Sequence, residues 1–193
     1  MIEFWFDFGS PAAYLAWTQL DRIREKTGRE IDMKPMLLGG VFKSTGNATP
    51  VAVPAKGAWM MKDLGRHAAR YGVTIAMPPG FPLNTLHFMR AVVALEGDER
   101  QADFIKTIYE AMFARGEAMG EIEVIGKVLA DAGFDPSEIM AMTQDEAVKE
   151  KLKANTEAAV AKGVFGAPTF FVGGEMHFGQ DRIEWVIDAA NAA

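Results

Sequence analysis

The feature that most constrains the fold of this chain is the separation between its two groups of predicted β-strands. Residues 2–8 are rich in aromatic side chains and predict a largely buried strand, and residues 31–36 predict a second one. Strand character returns only at residues 168–178, where two adjacent glycines indicate a hairpin turn. From about residue 53 to residue 163 the hydrophobic pattern is almost entirely helical. Strands from the two ends must therefore pair across a helical block, which makes that block an insertion.

Turn and capping residues divide the chain further. Ser10 followed by Pro11 predicts that a helix begins after the first strand, and Gly28 predicts its end. The first segment is then strand, helix, strand, as in a βαβ unit with a right-handed crossover. Residues 38–50 are rich in Gly, Ser, Thr and Asn and predict a loop, and the proline-rich residues 73–82 predict another.

Three residues stand three positions before a Glu, which is the spacing of a capping box that opens a helix. They are Asp135, Thr143 and Asp181. The predicted order is therefore βαβ, a block of helices, a β-hairpin and a final helix that begins near Asp181.

Composition and charge limit the class of protein. The 193 residues fit one compact unit or one domain with a large insertion. A hydrophobic fraction of 49% excludes wholesale disorder, and a formal charge of −6 argues against nucleic acid as a partner. The first residues show no basic and apolar leader, and no apolar run is long enough to span a bilayer. We therefore expect a cytoplasmic enzyme or binding protein that does not use a membrane.

The absence of cysteine restricts the chemistry. Without Cys the chain has no disulfide framework, no thiolate metal site and no Cys nucleophile. The three histidines, His67, His87 and His177, show no metal-ligand spacing with one another, so we expect no metal site. Any thiol chemistry must use a sulfur supplied from outside.

Four segments together resemble one known family. Residues 6–15 (FDFGSPAAYL) resemble the N-terminal motif of 2-hydroxychromene-2-carboxylate isomerases and kappa-class glutathione transferases. Residues 163–170 (GVFGAPTF) resemble the segment that holds the cis-proline of this family, and residues 178–182 (FGQDR) resemble its second glutathione signature. Residues 38–47 (LGGVFKSTGN) resemble its glutathione and substrate loop. The resemblance covers nearly the whole chain.

The resemblance implies an α/β architecture related to the disulfide oxidoreductase DsbA. A thioredoxin-like fold would be formed by residues 1–45 and 160–193, and residues 46–159 would form a large all-helical insertion between the βαβ and ββα halves. Disulfide oxidoreductases of this shape carry Cys-x-x-Cys where residues 10–13 read Ser-Pro-Ala-Ala. Family members are typically dimers, so a homodimer is expected.

The resemblance also implies that glutathione is the cofactor and that Ser10 is the catalytic residue. A serine at a helix N-terminus can donate a hydrogen bond to a bound thiolate and lower the pKa of the thiol. The plainer interpretation of Ser10 is a helix N-cap, and the two interpretations are compatible. Pro168 could be an ordinary trans proline, but the resemblance implies a cis Ala167–Pro168 bond that presents the Ala167 backbone beside Ser10.

Five further residues are candidates for the ends of glutathione. Gln180, Asp181 and Arg182 would bind the γ-glutamyl group, although Asp181 could instead cap the last helix and Arg182 could lie in solvent. Asn47 and Lys56 would orient carboxylates of glutathione or of the substrate, although an Asn in a loop usually serves a turn and a lone Lys is usually solvated.

Three residues are candidates for the substrate side of the site. Asn84 either contacts the substrate or caps a helix together with Thr85. Trp59 and Met60, which lie near Lys56 in the sequence, are candidates for the wall of an aromatic pocket, although such side chains are more often part of a core.

Three functions remain open on this basis. The first is a glutathione-dependent isomerase that interconverts 2-hydroxychromene-2-carboxylate and trans-o-hydroxybenzylidenepyruvate in the breakdown of naphthalene-like aromatics. The second is a kappa-class transferase that conjugates glutathione to electrophiles. The third is a cysteine-free thioredoxin-fold protein that only binds peptides.

Overall fold

The computed structural model describes residues 1–193, and a single four-stranded sheet lies at its centre. The strands are β1 (Ile2–Phe6), β2 (Ile31–Pro35), β3 (Thr169–Val172) and β4 (Glu175–Phe178). Their order is β2-β1-β3-β4, with β1 parallel to β2 and antiparallel to β3, and β4 antiparallel to β3. Strands from the two ends of the chain therefore pair with each other, as predicted.

The remaining regular structure is helical. The α-helices are α1 (Pro11–Trp17), α2 (Leu20–Thr27), α3 (Leu38–Thr45), α4 (Pro54–Tyr71), α5 (Leu86–Ala94), α6 (Gln101–Tyr109), α7 (Ile122–Asp131), α8 (Pro136–Met142), α9 (Glu146–Ala161) and α10 (Ile183–Ala192). Two 3₁₀ turns, Pro50–Ala52 and Gln180–Arg182, and a π-helical segment, Glu110–Ala114, complete the set. None of the helices has the length and apolar character that crossing a membrane requires.

The hairpin and the first helix follow the sequence closely. Gly173 and Gly174 have φ angles of 57° and 90°, so they form the two-residue turn between β3 and β4 that needs positive φ at both positions. The helix predicted after Ser10 is divided into α1 and α2; at the break the Thr18 hydroxyl donates to the Leu15 carbonyl, and the Gln19 N–H bonds the Ala16 carbonyl three residues back. Gly28 ends α2 with a left-handed φ of 63°.

The prediction of a loop over residues 38–50 is wrong for its first half, which forms α3. Gly40 allows α3 to approach α9 closely, because a Cβ at this position would lie 2.9 Å from the Thr156 methyl group. Gly46 ends the helix with a φ of 72°. Here glycine serves close helix packing, which local propensity alone does not indicate.

The capping predictions for the insertion have mixed outcomes. Asp135 caps α8, since its carboxylate accepts the N–H groups of Ser137 and Glu138. The prediction that Thr143 opens a helix is wrong: Thr143 ends α8, and Asp145 caps α9.

Aromatic packing joins the sheet to the helical block. The Tyr109 ring lies 4.7 Å from the Phe8 ring and 6.1 Å from the Phe6 ring, and Phe88 of α5 lies 6.2 Å from Phe8. Such pairs contribute about 0.5–1.5 kcal/mol each beyond the area that they bury. The turn after β1, which carries Ser10, is therefore held between the sheet and helices α5 and α6.

Candidate functional site

Ser10 lies at the N-terminus of α1 and makes two hydrogen bonds. Its Oγ accepts the N–H of Ala13 at 3.1 Å, so Ser10 is the N-cap of α1, as predicted. The same Oγ lies 2.8 Å from the carbonyl oxygen of Ala167. Because a carbonyl oxygen only accepts, the Ser10 hydroxyl hydrogen points at Ala167. Ser10 is 6% exposed, so this contact is shielded from water.

The segment opposite Ser10 has one paired and one unpaired backbone group. The Ala167–Pro168 peptide bond is cis, as predicted. The Ala167 carbonyl accepts from Ser10, whereas the Ala167 N–H has no acceptor in the chain. The Pro168 carbonyl accepts the N–H of Gly179, whose φ of 108° suits glycine. Ala167 therefore presents a free amide donor beside the serine hydroxyl.

Asn47 joins this segment from 118 residues away. Its Nδ2 donates to the Phe165 carbonyl at 2.8 Å, and its Oδ1 accepts the N–H of Ala48. The rings of Phe165 and Phe178 lie 4.5 Å apart, and the two residues are 37% and 40% exposed. Gly166 makes room for this pair, because a Cβ there would lie 2.8 Å from the Phe178 ring. Half-exposed aromatic rings therefore flank the Ala167 backbone.

Gln180, Asp181 and Arg182 form a 3₁₀ turn after β4. The Tyr71 hydroxyl at the end of α4 donates to the Gln180 carbonyl at 2.6 Å and fixes this turn. The prediction that Asp181 caps the last helix is wrong, because α10 begins at Ile183 after the turn and has no side-chain cap. The Asp181 carboxylate instead pairs with Arg182 at 2.8 Å.

Lys56 and Asn84 are not joined to Ser10 by any hydrogen bond or ion pair. Lys56 lies exposed in the first turn of α4 and pairs with no carboxylate of the chain. Asn84 is exposed, and its Oδ1 accepts the N–H of Leu86, so it bonds the first turn of α5. The predicted partnership of Asn84 with Thr85 in capping does not occur, since the Thr85 hydroxyl bonds elsewhere. Trp59 is exposed on α4.

Sequence reasoning missed the residue beneath this site, Asp7. Its carboxylate is buried and accepts from the Thr85 hydroxyl and from the N–H groups of Gly9 and Leu38. Burial raises the pKa of Asp7, and these three hydrogen bonds oppose the shift. Its carboxylate stands between two phenylalanines of the predicted strand, Phe6 and Phe8, and this position could have drawn attention to it. Burial, reinforced by the charge of Asp7, also raises the pKa of Tyr109 well above its ordinary value.

Two surface clefts lie away from these residues. One of about 350 Å³ is lined by charged side chains that include Arg115 and Lys127. The other, of about 410 Å³, lies between Trp17 and Lys106. Neither cleft is lined by Ser10 or by the residues around Ala167.

Known proteins share this architecture and motif set. The sequence pattern of the DSBA-like thioredoxin domain matches residues 1–190. The 2-hydroxychromene-2-carboxylate isomerase of Sphingobium xenophagum is 28% identical over 187 residues, which covers 96% of this chain and 95% of that protein. The glutathione S-transferase kappa 2 of Caenorhabditis elegans is 29% identical over 203 residues, covering 97% and 90%. A solved structure of a 2-hydroxychromene-2-carboxylate isomerase superposes with a TM-score of 0.88 at 26% identity, covering 99% and 94%.

These matches extend from the first strand to the last helix, and they confirm the predicted fold and the resemblance drawn from four short motifs. The chain therefore belongs to the family of DSBA-like thioredoxin domains.

Proposed function

We propose that the protein is a glutathione-dependent isomerase that interconverts 2-hydroxychromene-2-carboxylate and trans-o-hydroxybenzylidenepyruvate. The observation that carries the proposal is the contact between the buried Ser10 hydroxyl and the Ala167 carbonyl, beside an amide N–H that has no acceptor. Relatives that bear the isomerase name and relatives that bear the kappa transferase name align over almost the whole chain.

The Ala167 backbone fits the cysteinyl part of glutathione. A free N–H and a carbonyl on one residue can pair with an extended peptide in the way that a sheet edge pairs with an added strand. The cysteinyl N–H would take the Ala167 carbonyl, and the Ser10 hydroxyl, displaced from that acceptor, would donate to the thiolate. A hydrogen bond to the charged form lowers the pKa of a thiol. Because α1 has only seven residues, this hydroxyl matters more than a helix dipole.

The outer segments fit the charged ends of the tripeptide. Asp181 and Arg182 pair with each other, and each could exchange that partner for the γ-glutamyl ammonium or carboxylate group beside Gln180. Asn47 would hold the segment that carries Ala167, and Lys56, which has no ion pair, would bind a carboxylate of glutathione or of the substrate.

Bound glutathione would supply a thiolate that adds to the conjugated side chain and leaves again after the former double bond has rotated, so it would be regenerated in each turnover. Ser10 would keep the sulfur ionised, and the Ala167 backbone would fix its position. Lys56 and Asn47 would orient the anionic groups, and the exposed Asn84 would contact the substrate.

An aromatic substrate is supported by the pair of rings next to Ala167. Phe165 and Phe178 are each more than one third exposed. Phe165 lies two residues before Ala167, and Phe178 pairs across the hairpin with Thr169, the residue after Pro168. A planar aromatic acid could stack on such rings. Trp59 and Met60 remain candidates for the opposite wall.

The chain would be organised in two parts. Residues 1–45 and 160–193 would form the thioredoxin-like domain that holds the thiol, and residues 46–159 would form the insertion that supplies the substrate side. The protein would act as a cytoplasmic homodimer in the breakdown of naphthalene-like aromatics.

The second candidate is a kappa-class glutathione transferase, because relatives that bear this name are 28–29% identical to the chain, as similar as the relatives that bear the isomerase name at 28%. A transferase would join the thiolate to an electrophile and release the conjugate. The total thiol concentration during turnover separates the two reactions, because an isomerase leaves it unchanged and a transferase lowers it.

Calorimetric titration of glutathione, in two buffers of different ionisation enthalpy, tests the shared part of both proposals. We expect binding with proton release, because the site would ionise the thiol near neutral pH. Absence of binding at millimolar glutathione would contradict both enzymes and favour the third candidate, a cysteine-free thioredoxin-fold protein that binds peptides.

A further inference from the structure

The carboxylate of Asp7 connects three segments of the chain. Asp7 is 2% exposed and directly follows β1. Its Oδ1 accepts the N–H of Gly9 at 2.8 Å and the hydroxyl of Thr85 at 2.6 Å, and its Oδ2 accepts the N–H of Leu38 at 2.7 Å. No Lys, Arg or His pairs with it, so all the compensation for this buried carboxylate comes from these donors.

Each donor belongs to a segment that carries a candidate site residue. Gly9 precedes Ser10, whose own N–H donates to the Asp7 carbonyl at 3.1 Å. Leu38 is the first residue of α3, the helix that ends just before Asn47. Thr85 follows Asn84 and stands at the start of α5. One side chain therefore sets where the Ser10 turn, the Asn47 segment and the start of α5 lie relative to one another.

The two carboxylate oxygens of Asp7 bond different segments. Oδ1 holds the turn that carries Ser10, and Oδ2 holds the N-terminus of α3. A neutral amide has only one accepting oxygen, so an Asn at this position could satisfy the two donors at Oδ1 but would set its NH₂ against the N–H of Leu38. The arrangement requires a group that accepts at both oxygens.

We propose that Asp7 is a positioning residue of the glutathione site, which keeps the Ser10 hydroxyl where it donates to the Ala167 carbonyl in the free protein and can turn to the sulfur when glutathione binds. This inference rests on the proposed function, since it concerns the thiol that Ser10 would stabilise. Asp7 touches neither glutathione nor substrate and acts through Ser10.

The test measures the pKa of bound glutathione by the ultraviolet absorbance of its thiolate, together with kcat and the unfolding free energy, in wild type, Asp7→Asn, Thr85→Val and Thr85→Ser. Loss of the negative charge in Asp7→Asn would by itself favour the thiolate and lower the thiol pKa. Displacement of the Ser10 hydroxyl from the sulfur would raise the thiol pKa. We expect the pKa to rise and kcat to fall about tenfold or more in Asp7→Asn.

Thr85→Val keeps the charge of Asp7 and removes one donor, so we expect the same upward shift at smaller size. Thr85→Ser restores the hydroxyl and should restore the wild-type thiol pKa. If Asp7→Asn does not fold, the Thr85 pair decides by itself. Asp135→Ala, which removes the cap of α8 and none of the hydrogen bonds to Asp7, supplies the control for loss of stability alone.

Two results overturn the inference while the proposed function stands. One is a wild-type protein that ionises bound glutathione, with variants that lose stability but keep the thiol pKa and kcat. The other is a lower thiol pKa in Asp7→Asn with no shift in Thr85→Val, which would mean that Asp7 acts only through its charge. A wild-type protein that binds no glutathione overturns the proposed function and the Asp7 role with it.

Discussion

The Ser10–Ala167 contact and the outer segments, which carry Asn47, Lys56 and residues 180–182 and are proposed to bind the ends of glutathione, differ in how they are held. Ser10 and Ala167 are 6% and 9% exposed, and their hydrogen bond lies within the buried structure. Asn47, Lys56 and Asp181 are exposed, and they lie on loops or in the first turn of a helix. Hydrogen bonds are stronger electrostatically where water is excluded, whereas exposed charges are screened by solvent and salt. The Ser10 hydroxyl and the Ala167 backbone therefore hold fixed positions before any ligand binds, and the exposed groups proposed for recognition can rearrange around one.

This difference predicts graded effects of substitution. Removing a group at the Ser10–Ala167 contact should change the chemical step, because that group would stabilise charge on sulfur. Removing an outer group should change affinity and leave the chemical step nearly intact, because it would bind ground state and transition state equally.

Ser10→Ala should give the largest effect. We expect kcat to fall by about 10²–10³-fold, the size seen when one preorganised donor to a developing anion is removed. The affinity for glutathione should change only a few-fold, since the Ala167 backbone remains. Steady-state kinetics and calorimetry on the same protein samples measure the two quantities.

The control for Ser10→Ala is Asp135→Ala. Both residues are N-caps followed by Pro at the first helical position, so each substitution removes a cap, at a cost of about 1 kcal/mol. Asp135→Ala should lose stability and retain kcat. Equal losses of activity in the two variants would show that Ser10 matters only as a cap.

Asn47→Ala should affect affinity. It removes the bond to the Phe165 carbonyl, and a net hydrogen-bond contribution of about 1 kcal/mol corresponds to a roughly fivefold weaker Kd for glutathione. Asn155→Ala is the matched control, since its Nδ2 also donates to a backbone carbonyl, that of Pro35 at 3.2 Å, and makes no hydrogen bond to residues 165–168. A fall in kcat with unchanged Kd would place Asn47 with Ser10 rather than with the outer groups.

The fold could be predicted from sequence because its signals are local. An aromatic strand, a Ser-Pro helix start and a Gly-Gly hairpin each depend on neighbouring residues, and together they fixed the order of the elements. Helix α3 was missed because Gly39 and Gly40 resemble a loop in isolation. Packing against α9 explains Gly40, and it cannot be seen in the local sequence.

The site could be predicted in part. Ser10 and Ala167 belong to short motifs, so their pairing over 157 residues followed from the resemblance. Tyr71 and Thr85 act through contacts that span 109 and 78 residues and match no motif. Such contacts depend on how distant helices pack, which hydrophobic periodicity does not specify.

Tyr71→Phe should weaken glutathione binding by a smaller factor. It removes the hydroxyl that holds the Gln180 carbonyl but keeps the ring, so the turn of Gln180–Arg182 would loosen without losing its packing. We expect a Kd increase of about threefold with kcat retained. Tyr14→Phe is the control, because its hydroxyl donates in the same way to the Thr74 carbonyl. The same Kd increase in both variants would exclude a specific role for the Gln180 turn.

Lys56→Ala should give the smallest effect and the only one that depends on salt. Lys56 is exposed and has no ion pair in the chain, so its removal should leave the unfolding free energy unchanged. An exposed charge pair with a ligand carboxylate is worth about 0.2–1 kcal/mol, which corresponds to a roughly twofold change in affinity or KM. Raising the ionic strength should erase the difference from wild type, because the charges lie in solvent. Lys62→Ala, on the same helix and also exposed and unpaired, should show no change at any salt concentration. A salt-independent loss in Lys56→Ala would mean that the ammonium group is desolvated in the complex, and Lys56 would then belong with the buried contacts rather than with the outer segments.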